Sequence, residues 1–364
     1  MSVSKYERIA EALRGRILAG QYPVGGRLPT RKEMGGEFGA SGITIQRAFE
    51  ELLRDGFVVS RGCAGTFVAE RPPHTSRFGI IFPSPRPRDP STPASRWSTF
   101  YAEMINAATE IEQQEGVHFS FYYGFYQSTG SADYPRLAAD VEAGRLAGLV
   151  IIQATIGLAG APVLSHPHCP PIVMTGESLV PGATAVNFDY GVFIDAALDH
   201  FAAAGRRRVA AIALWGGGSD AVHWDHLRTA CERRGLENRP HWNQIVGPER
   251  FEAANHVVQL LMHGDERPDA LLIADDHLVE HATAGLAACG VRGANDLDVV
   301  AWSNLPYTPT AHVPVRFIGP DMREFVHTCI DLLRRKKAGE DCPKELLLPF
   351  RAALHQGGNV ERPR

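Results

Sequence analysis

No apolar stretch in this 364-residue chain approaches the roughly 18 to 20 residues that cross a bilayer as a helix, so neither a membrane span nor a membrane partner is expected. The opening run MSVSKYERIAEALRGRI lacks the apolar core and small-residue cleavage site of a secretory leader, which points to a cytoplasmic protein. Cysteine is sparse and scattered. The six residues (Cys63, Cys169, Cys231, Cys289, Cys329, Cys342) form no CxxC pair, so they read as reduced thiols, not as a disulfide frame or a zinc finger. Also missing are HExxH, GxSxG, Ser-x-x-Lys and the kinase signatures. LWGGGSD (Leu214–Asp220) is glycine-rich but has neither GxGxxG nor a Walker lysine, so it reads as a loop without a phosphate. With these absences no enzyme activity, cofactor or resident metal is expected.

Charge is present but unevenly placed. Residues 1–76 carry 11 lysines and arginines against 8 acids, whereas the remainder carries 26 against 33. A mildly basic head on an acidic body is compatible with a head that binds nucleic acid.

The head itself is dense in local signals. Tyr6, Ile9, Ala10, Leu13, Ile17 and Leu18 recur at helical spacing behind SKYE, which has the form of a capping box. AGQYPVGGRLP ends that helix, and TRKE (Thr30–Glu33) opens a second one. Gly39 supplies a turn, and Ser41 can cap a third helix with Ile45, Ala48, Phe49 and Leu52 inward. FVVS and TFVA flank RGCAG as a small hairpin. Helix, helix, turn, helix and hairpin make a winged helix-turn-helix, whose third helix fits the major groove of duplex DNA.

The run from RILAGQYPVGGRLPTRKEM through FGASGITIQRAFEELLRDGFVVSRGCAGTFV resembles the DNA-binding domain of the GntR family. The Gly-x-x-x-x-Gly spacing before LPT, the T-I-x-R-A helix, DGF and the closing GTFV carry the likeness. By position it implies DNA contacts from Lys32, Ser41, Gly42, Ile43, Thr44, Gln46, Arg47, Arg61 and Gly62. Two side chains depart from the family, which usually has Arg where this chain has Gly42 and often Arg where it has Gln46. Arginine pairs bidentately with guanine and glutamine with adenine, so the expected operator differs from the family's usual one at the positions read here. The bland alternative is that Gly42 only relaxes the helix start.

After AERPPHTS, which reads as a short, fairly stiff linker, strands and helices alternate. RFGIIFP, VHFSFYYG, AGLVIIQ, PPIVMTG, TAVNFD, RRVAAIAL, PDALLIAD and LDVVAWSN are strand-like, with amphipathic runs between them. This grammar argues for doubly wound α/β sheets, and about 280 residues suit two lobes around a cleft. The expected fold is therefore α/β, a winged helix-turn-helix followed by a two-lobed doubly wound domain. The expected divisions are 1–69 for the DNA-binding domain, 70–76 for the linker, 77–358 for the effector-binding and dimerisation domain, and 359–364 for a tail.

AVNFDYG, HFAAAGRRRVAAIA, RPDALLIADDHLVEHATAGLAACGV, DLDVVAWSN and LLLPFRAAL resemble the effector domain of the LacI/GalR family, a type I periplasmic-binding-protein fold. The combination is similar to the arrangement of arabinose-responsive repressors. It implies a homodimer on operator DNA, controlled by a sugar or related metabolite. Effector contacts would fall on Phe100, His223, Asp275, Asp276, Trp302 and Ser303. His223 stands where the family has a sugar-gripping arginine, and Ser303 where it has an aspartate. A ligand-independent regulator with a degenerate cleft is the alternative. His223/His226 and His277/His281 have the spacing of metal ligands but read as polar cleft or surface histidines. Trp302 could stack on a ligand or pack in the core. The RRKK run at 334–337 reads as charges that favour a helix dipole and solvent.

Overall fold

The computed structural model describes residues 4–86, 99–126, 130–152, 158, 160–176, 180–214, 222–264 and 266–355. Helix α1 (Lys5–Leu18) and helix α2 (Arg31–Phe38) each begin in a complete capping box, Ser4 with Glu7 and Thr30 with Glu33, which satisfies amide groups that the helix cannot. Helix α2 stops at Gly39, whose φ of 55° is the left-handed conformation that a side chain resists. Helix α3 (Gly42–Arg54) starts at Ser41, whose hydroxyl accepts from the Thr44 amide. Ile45, Ala48, Phe49 and Leu52 of α3 pack on Ile9, Leu13 and Ile17 of α1. Strands β1 (Val58–Ser60) and β2 (Thr66–Val68) pair antiparallel around a 3-10 turn at Gly62–Ala64. The head is thus a winged helix-turn-helix, as its sequence predicts.

Elements α4 (Pro73–Ser76), β3 (Arg77–Ile81), α5 (Thr99–Glu115), β4 (His118–Tyr122), α6 (Tyr134–Glu142), β5 (Gly148–Ile151), β6 (Ile172–Met174) and β7 (Thr184–Phe188) follow. Then come α7 (Tyr190–Ala203), β8 (Val209–Leu214), α8 (Val222–Arg233), β9 (Asn243–Val246), α9 (Ala253–His263), β10 (Ala270–Ile273), α10 (Val279–Ala288), β11 (Asp298–Trp302), β12 (Val315–Pro320) and α11 (Met322–Lys337). Two last strands, β13 (Glu345–Leu348) and β14 (Phe350–His355), join different sheets. One sheet runs β13-β7-β6-β5-β3-β4 and the other β14-β12-β11-β10-β8-β9. Without β13 and β14, both have the same strand order, the first strand lying between the second and the third, with parallel pairing throughout. This is the doubly wound order, repeated. The central strands β5, β8, β10 and β11 are buried along their whole length, as parallel strands covered on both faces must be.

The chain divides into two compact units. One comprises Met1–Asp89, Ala108–Val186 and His327–Leu346, and the other Pro90–Ala107, Asn187–Val326 and Leu347–Arg364. The first therefore holds the head and one sheet together. Asp55, which caps the end of α3, accepts from Arg14 of α1 at 2.9 Å and from Arg145, between α6 and β5, at 3.1 Å. Arg145 also reaches Asp140 at 3.0 Å. Beside this cluster Leu18 lies over Gly144, where a Cβ would come within 2.6 Å of the leucine and where φ is +59°. Only glycine fits there.

The residues read as a linker are locally ordered. Pro73–Ser76 forms a helical turn, with the Ser76 hydroxyl donating to the Arg71 and Pro72 carbonyls. The Arg71 guanidinium donates to the Glu115 carbonyl at 2.5 Å, and His74 stacks on Phe57 of the head with ring centroids 5.8 Å apart. A proline pair favours extended chain locally, but here tertiary contacts fold the residues after it. The RRKK run is also more than a solvated helix end. Lys337 donates to the His74 carbonyl, Lys336 to the Gly182 carbonyl at 2.6 Å, Arg335 pairs with Glu340, and Arg334 lies over the Phe78 ring.

Asp55 and Arg14 are both buried, and removing the carboxylate leaves the Arg14 guanidinium with only Glu51, at 3.3 Å. Asp55→Ala is expected to destabilise the head by about 1–3 kcal/mol in urea unfolding, less than for a charge left with no partner, because Glu51 and Asp140 remain. Arg145→Ala, which leaves the Arg14 pair intact, should cost less. Equal losses from the two substitutions would contradict this division of roles.

Candidate nucleic-acid interface and ligand site

The exposed residues of the head gather where helices and turn begin. Arg31 and Lys32 open α2, and both are exposed. Ser41, Gly42 and Ile43 at the start of α3 are exposed, as is Arg47 one turn later; Thr44 and Gln46 are half-buried. Arg61 and Gly62 are exposed at the tip of the wing. The start of a helix carries unpaired amides and a partial positive charge, which suits a phosphate. Ile43, Arg47 and Glu50 follow at i, i+4 and i+7, opposite the buried stripe of α3.

Several of these side chains have partners within the protein. The Gln46 amide oxygen accepts from Arg31, and its nitrogen donates to Glu50 at 2.8 Å. Arg31 also stacks over the Phe49 ring at 5.3 Å. Arg61 pairs with Glu70 at 2.9 Å and lies 4.7 Å from the centre of the Phe67 ring. Arg31, which orients Gln46, is missed by sequence pattern, because a basic residue in the first turn of a helix carries no periodic signal. A Cβ built on Gly42 meets nothing within 4 Å, so the fold does not require glycine there.

The second unit brings other expected residues together at the carboxyl end of β10. In a sheet of this order, neighbouring strands β8 and β10 send their connections to opposite faces, and such switch points are where ligands bind. Asp275 caps the short turn Asp276–Leu278 by accepting from the His277 amide at 3.0 Å. The His277 ring donates from Nδ1 to Asp275 at 2.8 Å and lies 3.3 Å from Asp276. Asp276 is buried and accepts from Thr99 at 2.5 Å and from Asn304 at 2.9 Å. Among the described residues, His277 Nε2 and Asn304 Oδ1 remain buried without a partner. Burial opposes a charged imidazole, yet the bonds from Asp275 and Asp276 raise its pKa to about 10. Asp275 is itself raised, by burial first and by the charge of Asp276. Thr99 and Asn304 are not legible as site residues, since a threonine opening a helix and an asparagine after a strand are common.

Trp302 and Ser303 do not belong to this polar group. Trp302 is buried, with Tyr190 stacked at 4.5 Å and Phe193 and Phe350 edge-on at 5.3 Å, so its ring is taken up by the core. Ser303 is fully buried and its hydroxyl donates to the Tyr307 carbonyl at 2.6 Å. Both were expected from sequence to contact an effector. Phe100, half-buried in the first turn of α5, sits among Tyr101, Phe188 and Phe325 at centroid distances of 5.7–6.2 Å. His223 lies in α8, but its side chain falls outside the described residues, as does most of the glycine-rich loop before it. His226 is paired with Asp195 at 3.2 Å. Among the described residues, the group of three potential metal ligands whose atoms all lie within 4.8 Å of one another is Asp275, Asp276 and His277, without His281. Among these residues no helix is long and apolar enough to cross a membrane.

Residues 5–68 match the bacterial regulatory proteins of the gntR family. The head is a GntR-family domain. Residues 198–358 match the periplasmic binding protein-like domain. The GntR-type head is 41% identical over 69 residues to an HTH-type transcriptional regulator of Mycobacterium tuberculosis, covering 19% of this chain and 26% of that protein. It is 35% identical over 75 residues to the histidine utilization repressor of Pseudomonas aeruginosa, covering 21% and 30%. The matches thus span less than a third of these relatives' lengths. The body is similar in fold to a LacI family transcriptional regulator from Arthrobacter sp. FB24, with a TM-score of 0.56 at 16% identity over 79% of this chain and 100% of that one. A structure of that regulator in complex with lactose gives 0.55 at 16% identity over 78% and 100%. A LacI family regulator from Bifidobacterium animalis subsp. lactis gives 0.55 at 16% over 78% and 98%. A GntR-type head is therefore joined to a body of LacI-like, two-lobed fold.

Gly42→Ala should stabilise α3 by roughly 0.5–1 kcal/mol, because the new methyl meets no atom and the unfolded chain loses freedom; thermal unfolding measures it. The imidazole of His277 should stay protonated at pH 8 in a histidine NMR titration, whereas an unperturbed ring titrates near about 6.5. Since the folded pKa is the higher one, the stability it contributes is complete below about 6.5 and is lost as pH rises through about 10. His277→Gln should flatten that loss.

Proposed function

We propose that the chain is a ligand-responsive DNA-binding transcriptional regulator, a repressor, acting in the cytoplasm as a homodimer. The observation that carries the reading is the contrast within the head. Ser41, Gly42, Ile43 and Arg47 stand exposed at the start of α3 while its other face is buried in the core. A helix start so presented, beside a wing tipped by Arg61, suits the major groove and its phosphates. Two heads related by a two-fold axis would read half-sites about 10 base pairs apart or a multiple of that. Lys32, Arg47 and Arg61 are assigned to phosphates or bases, and Ser41 to Thr44 with Gln46 and Gly62 to the groove. The domain divisions expected from sequence are retained as part of this proposal.

The effector is assigned to the group at the end of β10, with Asp275 and His277 as its polar contacts and Asp276 holding them in place. The unpartnered His277 Nε2 and Asn304 Oδ1 supply one donor and one acceptor, a pairing that a hydroxyl-rich metabolite such as a sugar satisfies. The regulator whose structure holds lactose supports this class by fold alone. No catalytic step is assigned. The burial of Trp302 and Ser303 favours a second reading, a regulator whose operator affinity ignores metabolites.

The test joins selection of duplexes from a random-sequence pool with a thermal-shift screen of sugars, sugar acids and nucleosides. An enriched two-fold site is expected, with one ligand class that raises the melting temperature and changes affinity for that site. Asp275→Ala should abolish the ligand's effect and leave DNA affinity in its absence unchanged. Arg47→Ala should weaken binding to all sequences alike and lower the slope of log K against log salt by about one per head. A site bound equally with every metabolite would establish the second reading.

A further inference from the structure

The first turn of α3 carries an apolar side chain where the DNA-binding reading needs a base reader. Ile43 is 72% exposed, and it is absent from the apolar cluster that holds Ile45, Ala48, Phe49 and Leu52 to α1. A β-branched residue there gives the helix no propensity advantage and gives the fold no packing. Its neighbours leave it clear. Gly42 has no side chain, and a Cβ there would meet nothing within 4 Å. The Ser41 and Thr44 hydroxyls are bonded to each other at 2.9 Å, and Ser41 is engaged in capping the helix. The amide of Gln46 is held between Arg31 and Glu50. What this turn presents outward is therefore a hydrocarbon surface, with no cationic residue within Ser41–Thr44 to compete.

The major-groove edge of DNA has one apolar group, the 5-methyl of thymine. We infer that Ile43 is a specificity-determining residue that packs on a thymine methyl in each operator half-site. The inference rests on the DNA-binding reading and refines it. A donor-bearing residue in this turn would select by hydrogen bonds to guanine or adenine; Ile43 selects by burying a methyl group that cytosine and uracil lack. The bare Gly42 beside it lets the helix backbone approach the base closely.

The experiment uses the full chain and the site enriched from a random-sequence duplex pool. Each thymine of one half-site is replaced in turn by deoxyuridine, which removes only the methyl, and affinity is read by fluorescence anisotropy. One thymine per half-site should lose about fourfold, the worth of one buried methyl group. The same replacement should be silent in Ile43→Ser and should retain most of its effect in Ile43→Val. An enriched site at which every deoxyuridine is silent would overturn the inference and leave the DNA-binding reading standing. So would a methyl effect of equal size in Ile43→Ser. Failure to enrich any site would overturn both. Since the deoxyuridine series is run on the unaltered protein, it does not depend on the folding of any variant.

Discussion

A buried carboxylate at the end of the third helix fixes the relation of head to body in the first unit. Asp55 takes one guanidinium from the head's own first helix and another from the loop before β5. Arg14 is buried and Arg145 half-buried, and an unpaired charge in the interior costs several kcal/mol. Asp55 is the carboxylate they share, while Glu51 completes the pairing of Arg14 and Asp140 that of Arg145. Leu18 on Gly144 and His74 on Phe57 add apolar contact on either side of it. The docking thus holds the carboxyl end of α3 and leaves its amino end, where Ser41 to Ile43 stand, outward.

That division of the helix explains which parts of the structure can be read in advance. Capping boxes at Ser4–Glu7 and Thr30–Glu33 are local, and four residues suffice to specify them. The buried stripe of α3 is legible because a 3.6-residue period and one apolar core agree. The strands of the body are legible for a similar reason, since fully buried parallel strands read as unbroken apolar runs. The doubly wound order follows from their alternation with helices, and the two sheets repeat it.

What is not legible depends on partners distant in sequence. ERPPHTS reads as a short, stiff linker, and contacts from Lys337 and Arg71 hold part of it as a helical turn. Nothing near residue 337 announces that contact. Trp302 is the last residue of a strand buried on both faces, and its ring packs against Tyr190, Phe193 and Phe350. Sequence position at a strand end does not reveal those ring partners. Asn304 and Thr99 come into the same polar group as Asp276 across 205 residues of chain, a proximity that only the fold supplies.

The polar group at β10 and the reading end of α3 share one physical device, charged partners that pre-set a polar reader. Two carboxylates beside His277 raise its pKa and so favour the protonated ring, whose unpartnered Nε2 is then a donor. Gln46 is kept oriented by Arg31 on its oxygen and Glu50 on its nitrogen, which fixes the direction of its amide. On the proposed function, each arrangement lowers the entropy that binding must remove, at the cost of bonds that an incoming partner has to replace. Such replacement is close to neutral when the partner offers a matching donor and acceptor and unfavourable when it does not. Discrimination then comes from the bonds that the wrong base or metabolite fails to restore, and that penalty for an unsatisfied polar group is larger than the net worth of the bond itself.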